Sequence, residues 1–120
     1  MEIAGLVLAA GAGRRYGMPK ALVAHRGSLL VQRAAGTLRE AGVAEPVIVI
    51  GAQAAQVRTV APALTYVENP DWASGMASSL RTGLAALAAG PAGAVVVLLV
   101  DMPGVTPAAV RAIATGATPA

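Results

Sequence analysis

Two apolar runs without a single polar residue constrain the fold of this chain most strongly. Residues 47–50 read VIVI and residues 94–100 read AVVVLLV. A strand with one face in water alternates apolar and polar residues, so these uninterrupted runs predict strands that are covered on both faces. Residues 3–9 and 65–67 are predicted as two further, shorter strands. Because strands buried on both faces belong mostly to parallel sheets with helices on either side, the sequence predicts an α/β fold.

Helical segments alternate with these strands. Ser28 is predicted to cap the first helix, Gly42 to end it in a left-handed conformation, and Pro107 to start the last helix after Thr106. Strands and helices that alternate in this way join through right-handed crossovers. The prediction is therefore one domain over residues 1–120, a three-layer, Rossmann-like, mostly parallel sheet with helices on both faces. The predicted helices cover residues 29–41, 52–60, 75–89 and a segment that begins after Thr106.

The composition excludes several classes of protein. The chain has no cysteine, so disulfides and thiolate metal sites are ruled out. Its net charge of +3 is mild and only 2% of its residues are aromatic, which argues against a nucleic-acid surface. Residues 82–100 carry no charge, but Gly-Pro-Ala-Gly at 90–93 would end a helix there, so no membrane span is predicted. Glu2 stands where a signal peptide needs positive charge, so no signal peptide is predicted. The expected location is therefore the cytoplasm.

The segment VLAAGAGRRYGMPKAL, residues 7–22, is the strongest candidate for a functional site. Glycine after a strand lets backbone N–H groups converge on an anion, and the cations that follow in this segment favour a phosphate chain. The P-loop pattern fails because Ala21, not serine or threonine, follows Lys20. The dinucleotide pattern fails because Gly11, Gly13 and Gly17 span one residue too many. The loop is therefore predicted to bind phosphate by a different arrangement.

Three segments together resemble one enzyme family. Residues 8–20 resemble the signature loop of nucleotidyltransferases, which join an NTP to a phosphorylated acceptor and release pyrophosphate. NPDWASGMASSLRTGL (69–84) and LLVDMPGVTPAAVRAI (98–113) resemble the corresponding segments of molybdenum cofactor cytidylyltransferases. Guanylyltransferase relatives usually carry a Gly-Pro-Leu-type segment where this chain has GMASSL at 75–80. The resemblance implies CTP as the donor and a molybdopterin-type phosphorylated acceptor.

The resemblance also implies a set of site residues. Arg15 would offset charge on the β- and γ-phosphates, Lys20 would reach the α-phosphate, and Asp101 would hold Mg²⁺, since a hard carboxylate suits that ion. The bland alternatives are that Asp101 is only a turn residue, that Ser78 and Ser79 only open a helix, and that Trp72 only anchors its loop. The implied nucleotide-binding residues are Leu8, Ala9, Ala10, Gly11, Ala12, Gly13, Arg15, Lys20, Asn69, Gly75, Ser78 and Ser79.

The chain departs from the family pattern in two places. Val100 stands where the family commonly has glycine before the aspartate. Family members also continue beyond a point equivalent to Ala120 with strands that complete the acceptor pocket and supply a second metal ligand. The chain is therefore expected to be the N-terminal, nucleotide-binding part of such an enzyme. Two alternatives stay open, a sugar-phosphate or other small-acceptor pyrophosphorylase and a catalytically incomplete nucleotide-binding module.

Overall fold

The computed structural model, which describes residues 2–12 and 17–116, contains the predicted strands and helices with their ends moved by no more than two residues. Short 3-10 turns at Lys20–Leu22 and Trp72–Ser74 add to them. The strands and helices, in chain order, are β1 (Ile3–Leu8), β2 (Ala24–His25), β3 (Ser28–Leu29), α1 (Leu30–Glu40), β4 (Val47–Ile50), α2 (Ala54–Val60), β5 (Thr65–Glu68), α3 (Met76–Leu87), β6 (Ala94–Leu99) and α4 (Pro107–Thr115).

Four parallel strands form the central sheet in the spatial order β5, β4, β1, β6. Leu8, the last residue of β1, lies opposite Val49 of β4 on one side and Leu99 of β6 on the other. The carboxyl ends of these three strands therefore lie at one level of the sheet. The sheet grows from β1 toward β4 and β5 and then resumes on the other side with β6, so a topological switch point lies between β1 and β6. The predicted α/β class and parallel sheet are confirmed.

Each face of the sheet has its own apolar layer. On one face, Val7 and Ile48 pack with buried residues of α1, α2 and α4. On the other face, Leu6 and Val49 pack with residues of α3. Gly83 lets α3 approach β1, because a Cβ at this position would lie 2.5 Å from Leu6 Cδ1. The helices on both faces explain why β4, which is buried between them, is apolar throughout. At the edges of the sheet, Thr65 and Glu68 of β5 and Val97 of β6 are exposed.

The start of α1 differs from the prediction. Ser28 does not cap the helix but pairs with His25 in the two-stranded hairpin of β2 and β3. Arg26 and Gly27 form the turn with φ angles of 52° and 86°, the left-handed pair that closes a tight hairpin. Because the hairpin uses Ser28, the helix begins at Leu30, after Leu29, whose backbone N–H donates to Gln32 Oε1 at 3.0 Å.

Two other predicted helix ends are confirmed. Thr106 Oγ1 accepts a hydrogen bond from the backbone N–H of Ala109 at 3.1 Å, with Pro107 at the first helical position. Gly42 follows α1 with a φ of 84°.

The uncharged stretch 82–100 divides between α3 and β6. In the part of the chain that the structure describes, no helix is long and apolar enough to cross a membrane.

Candidate active site

A crevice of about 370 Å³ opens where β1 and β6 end, at the switch point of the sheet. Open α/β sheets bind their ligands at this position, because the loops that leave neighbouring strands there diverge to opposite faces. The lining residues come from three regions that are far apart in the sequence. They are Leu8, Ala9, Ala10, Gly11, Ala12, Lys20, Trp72, Ala73, Gly75, Met76, Ser79, Leu99, Val100 and Asp101.

The glycine-rich loop that follows β1 forms one wall. The Ala9 N–H donates to Val49 O at 2.9 Å and Ala10 O accepts from the Ala52 N–H at 3.0 Å, so the start of the loop is fixed to β4 and to the segment before α2. Among the described residues, no backbone hydrogen bond engages the N–H groups of Ala10, Gly11 or Ala12. That these amides bind an anion in the crevice stays a prediction.

Two predicted members of this loop, Gly13 and Arg15, lie outside the described residues. Their roles stay predictions. Lys20, which follows them in the sequence, lines the crevice as predicted. Gly11 lies beside its alkyl chain, because a methyl group added at Gly11 would contact Lys20 Cδ at 3.9 Å.

Lys20 and Asp101 meet across the crevice although 81 residues separate them in the sequence. The Lys20 Nζ donates to Asp101 Oδ2 at 3.0 Å. The residue before each partner is fixed in the fold. Pro19, before Lys20, is buried, and the N–H of Val100, before Asp101, donates to Leu8 O at 3.1 Å. Their side chains are 38% and 34% exposed, so a ligand can reach both.

This pairing matches the charges that a nucleotide with a divalent cation would require. An ammonium group suits phosphate oxygens and a carboxylate suits a hard cation. In the structure, the two groups neutralise each other. A ligand carrying both charges would give each group a new partner of opposite sign. The sequence placed both residues in one site, and the structure brings them into contact.

Trp72 forms the wall opposite Lys20's loop and is more than the loop anchor that the sequence suggested. Its side chain lies directly on Gly51 at the end of β4, where a Cβ would come within 2.5 Å of Trp72 Cβ. The indole is half-buried against the apolar layer of α3 and also lines the crevice. The sequence predicted no ligand-facing role for Trp72, although a lone tryptophan before the glycine was the available signal, whereas Met76 lies in the segment 75–79 that was predicted to meet base or ribose.

Asn69 organises the segment that carries the rest of this wall. The side chain is 2% exposed, and its Nδ2 donates to Ser78 Oγ at 2.9 Å and to Ser79 Oγ at 3.0 Å. Its Oδ1 accepts from the Asp71 N–H at 2.9 Å. One amide therefore ties the end of β5 to the first turn of α3.

The predicted contacts of this segment with base or ribose divide into two groups. Gly75 and Ser79 line the crevice, whereas Asn69 and Ser78 lie behind its wall. Gly75 adopts a φ of 119°, which disfavours any side chain. A direct contact of Asn69 or Ser78 with nucleotide stays a prediction, and the observed hydrogen bond of Asn69 holds Ser79 in place.

The crevice has a simple set of charged groups. Asp101 is the one carboxylate among its described lining residues, beside the one ammonium of Lys20. Within residues 2–12 and 17–116, no group of three or more histidine, aspartate or glutamate side chains could form a metal site from protein alone.

The fold and this crevice define the chain as an α/β nucleotidyltransferase domain. Residues 5–120 match the MobA-like NTP transferase domain, and the chain belongs to that family. The family prediction is confirmed.

Two curated relatives show how broad the family is. The chain is 47% identical over 107 residues to a nicotine blue oxidoreductase of Paenarthrobacter nicotinovorans, covering 87% of this chain and 52% of that protein. It is 40% identical over 103 residues to a probable molybdenum cofactor guanylyltransferase of Opitutus terrae, covering 86% and 50%. The chain thus spans about half the length of the curated relatives it matches.

The chain is also similar to solved structures, which it again covers only in part. Rv0371c of Mycobacterium tuberculosis H37Rv is 32% identical, with a TM-score of 0.78 over 94% of this chain and 59% of that one. A complex of Rv0371c with manganese aligns with 30% identity and a TM-score of 0.77 over 96% and 59%.

Proposed function

We propose that this chain supplies the nucleotide site of an enzyme that moves an NMP unit from an NTP to a phosphorylated acceptor. The observation that carries the proposal is the meeting of Lys20 and Asp101 in the crevice beside the glycine-rich loop, at 3.0 Å. That arrangement offers a cation to the phosphates and a carboxylate to a metal ion. It stands at the switch point, where such sheets bind ligands.

The reaction itself asks little covalent chemistry of the protein. An oxygen of the acceptor phosphate forms a bond to the α-phosphorus while the bond to the bridging oxygen breaks, and that electron pair leaves with pyrophosphate. An anion attacks a polyanion, so the site must position the reactants and neutralise their charge. The N–H groups of Ala10, Gly11 and Ala12 would hold phosphate oxygens, and Lys20 would contact the α-phosphate. Arg15 is proposed for the β- and γ-phosphates.

Asp101 is the proposed Mg²⁺ ligand. Magnesium retains several waters and binds nucleotide sites through one or two carboxylates together with substrate phosphates, so a single carboxylate at a strand end fits its needs. The group is one-third exposed and faces the crevice, which leaves space for such a shell. When bound, the ion would supply positive charge to the phosphates. Lys20, no longer paired with Asp101, would then turn to a phosphate oxygen. The manganese complex of Rv0371c supports a divalent cation in this family.

The proposed donor is CTP and the proposed acceptor is a molybdopterin-type phosphate. The support is the GMASSL segment, whose Gly75 and Ser79 line the crevice beside Trp72 and would meet the base or ribose. The Opitutus terrae relative is named a guanylyltransferase, so GTP is the competing donor. A polar edge that hydrogen-bonds one base rejects a base with a different pattern, which makes the preference measurable.

A second candidate comes from the relative named nicotine blue oxidoreductase, which is 47% identical. An oxidoreductase using a dinucleotide would need glycines at the first, third and sixth positions of the loop. Gly11, Gly13 and Gly17 span one residue more. The loop spacing therefore favours the transferase.

The test is pyrophosphate release by the full-length enzyme with each of the four NTPs, Mg²⁺ and a phosphorylated acceptor. We expect the highest kcat/KM with CTP. In Asp101→Asn we expect a loss of about a hundredfold, the size that follows removal of one group that stabilises charge in a transition state. Arg81→Gln, on the exposed face of α3, is the matched control and should keep wild-type turnover.

Each other outcome rejects a defined part of the proposal. A preference for GTP rejects the cytidylyl assignment and keeps the transferase. Nucleotide binding without pyrophosphate release with any NTP indicates a binding module. Decolourisation of nicotine blue by a reduced nicotinamide dinucleotide, without pyrophosphate release, indicates the oxidoreductase. Wild-type turnover in Asp101→Asn makes Asp101 only a turn residue.

A further inference from the structure

A second cleft, of about 500 Å³, lies apart from the crevice. Its floor is one face of α1, where Arg33, Thr37 and Glu40 follow one another at helical spacing. One wall is the hairpin of β2 and β3, and the other is the segment 103–107 that leads into α4. The turn after Asp101 separates this cleft from the crevice, and the proposed transfer reaction uses none of its side chains.

Two arginines face this cleft without carboxylate partners. Among the described residues, the ion pairs are Lys20–Asp101 and Arg39–Glu45, so Arg26 and Arg33 form none. Glu40 lines the same cleft and is not within ion-pair distance of either arginine. The cleft therefore holds two guanidinium groups that form no ion pair within the part of the chain that the structure describes, and one carboxylate.

Arg33 also carries a hydrogen-bond donor that nothing in the described structure satisfies. Its Nε is buried and has no acceptor. This Nε is closed to solvent, so an oxygen bound in the cleft would meet the guanidinium group at its terminal Nη groups. These groups offer a planar pair of N–H donors that matches an oxyanion.

Arg26 occupies a position that favours other residues. Its φ of 52° is left-handed, and the first position of such a hairpin turn usually holds asparagine, aspartate or glycine. The turn nevertheless presents an arginine at the rim of the cleft. Ser28 and Thr37 add hydroxyl groups, and α4 directs its electropositive end toward the same space.

We infer that this cleft binds a phosphate monoester, with the phosphate held by Arg26 and Arg33. Phosphate provides acceptor oxygens for the N–H groups of both guanidinium groups. Glu40 would accept a hydrogen bond from a hydroxyl group on the organic part of the ligand. The inference does not depend on the transfer reaction, because the two sites share no charged residue.

Amide NMR titration of the full chain tests the inference, with inorganic phosphate and glycerol 3-phosphate as probes and the ionic strength held constant with sodium chloride. We expect saturable shifts at Gly36, Thr37 and Gly104, and a lower Kd for glycerol 3-phosphate than for phosphate. Arg33→Gln and Arg26→Gln should each raise the Kd about tenfold, the effect of losing one charge-assisted contact. Arg81→Gln carries the same charge change on the opposite face and should leave the Kd unchanged.

Lys20→Ala separates the two sites, since it should abolish phosphate-induced shifts at Gly11 and Ala12 and preserve those at Gly36. Shifts confined to Gly11 and Ala12 would overturn the inference, as would a wild-type Kd in folded Arg33→Gln. Equal Kd values for the two probes would contradict the monoester assignment. Thermal melts of each variant establish that it is folded before its Kd is compared.

Discussion

The contact between Lys20 and Asp101 joins the only lysine of the sequence to the end of β6. Both side chains are more than one-third exposed, and ion pairs of that kind contribute about 0–1 kcal/mol to folding. The pair is therefore too weak to be explained by stability. Under the proposed function, the pair holds two opposite charges at the place where a metal-bound nucleotide would separate them.

The first prediction at this scale concerns Lys20→Ala. We expect the affinity for Mg²⁺–CTP to fall by at least about tenfold, because a charge-assisted phosphate contact is worth roughly 1.5–3 kcal/mol. The free energy of unfolding should change by less than about 1 kcal/mol. Calorimetric titration gives the affinity and urea denaturation gives the stability. Arg81→Ala is the control for the loss of one positive charge, and equal affinities in Lys20→Ala and wild type would remove Lys20 from the site.

Asn69 is a residue of the opposite kind, since its contribution is structural. In Asn69→Ala, the buried hydroxyl of Ser79 and the part-buried Asp71 N–H each lose a partner. We expect a loss of about 2–3 kcal/mol in the free energy of unfolding. Urea denaturation measures it. Ser74→Ala, in the same segment but exposed, should cost less than about 0.5 kcal/mol, and an equal effect of the two changes would refute the role given to Asn69.

At the scale of elements, two helices each contain a glycine, and the two glycines differ in their surroundings. Gly83 of α3 is buried against β1, and a methyl group there would overlap Leu6, which is itself fully buried. Gly36 of α1 faces open space, with nothing within 4 Å of an added methyl group. The same substitution should therefore have opposite signs in the two helices.

We predict that Gly83→Ala destabilises the protein by about 1–3 kcal/mol, because overpacking a rigid contact outweighs the better helix propensity of alanine. Gly36→Ala should stabilise it by about 0.5–1 kcal/mol, since propensity acts alone there. Chemical denaturation of the pair tests both signs. A stabilised Gly83→Ala variant would show that α3 can move away from β1.

The elements also show where sequence reasoning succeeds. Apolar runs such as VIVI locate buried strands directly, because covering both faces requires apolar residues at every position. Ser28 shows the limit. Serine is a common helix cap, but here Arg26 and Gly27 form a hairpin turn. Ser28 therefore pairs with His25 in the hairpin and does not cap α1. Competition between two local structures is settled by the backbone conformation of the turn.

For the molecule as a whole, the two clefts lie on either side of one turn and share no charged group. Ligand binding to the folded state adds stability by mass action, about 2.7 kcal/mol at a ligand concentration of 100 times Kd. We therefore expect Mg²⁺–CTP and glycerol 3-phosphate to raise the unfolding free energy additively. Thermal melts with each ligand and with both provide the measurement.

The variants sharpen this prediction. At the same ligand concentration, Lys20→Ala should lower the stabilisation by nucleotide to about 1.4 kcal/mol or less and keep that by glycerol 3-phosphate, and Arg33→Gln should do the reverse. Loss of both effects in either variant would show that the two ligands use one site.

The sequence by itself determined the layers of this protein and the family of its loop. Strand and helix positions follow from local periodicity, so they can be predicted without coordinates. The motif from Gly11 to Lys20 is contiguous in the sequence, so it can be recognised there too. Only the tertiary structure decided that Lys20 touches Asp101, that Asn69 holds Ser79 from behind, and that Arg26 and Arg33 share a cleft. These contacts join segments far apart in the chain or across a turn, and side-chain packing, which local pattern does not encode, fixes their geometry.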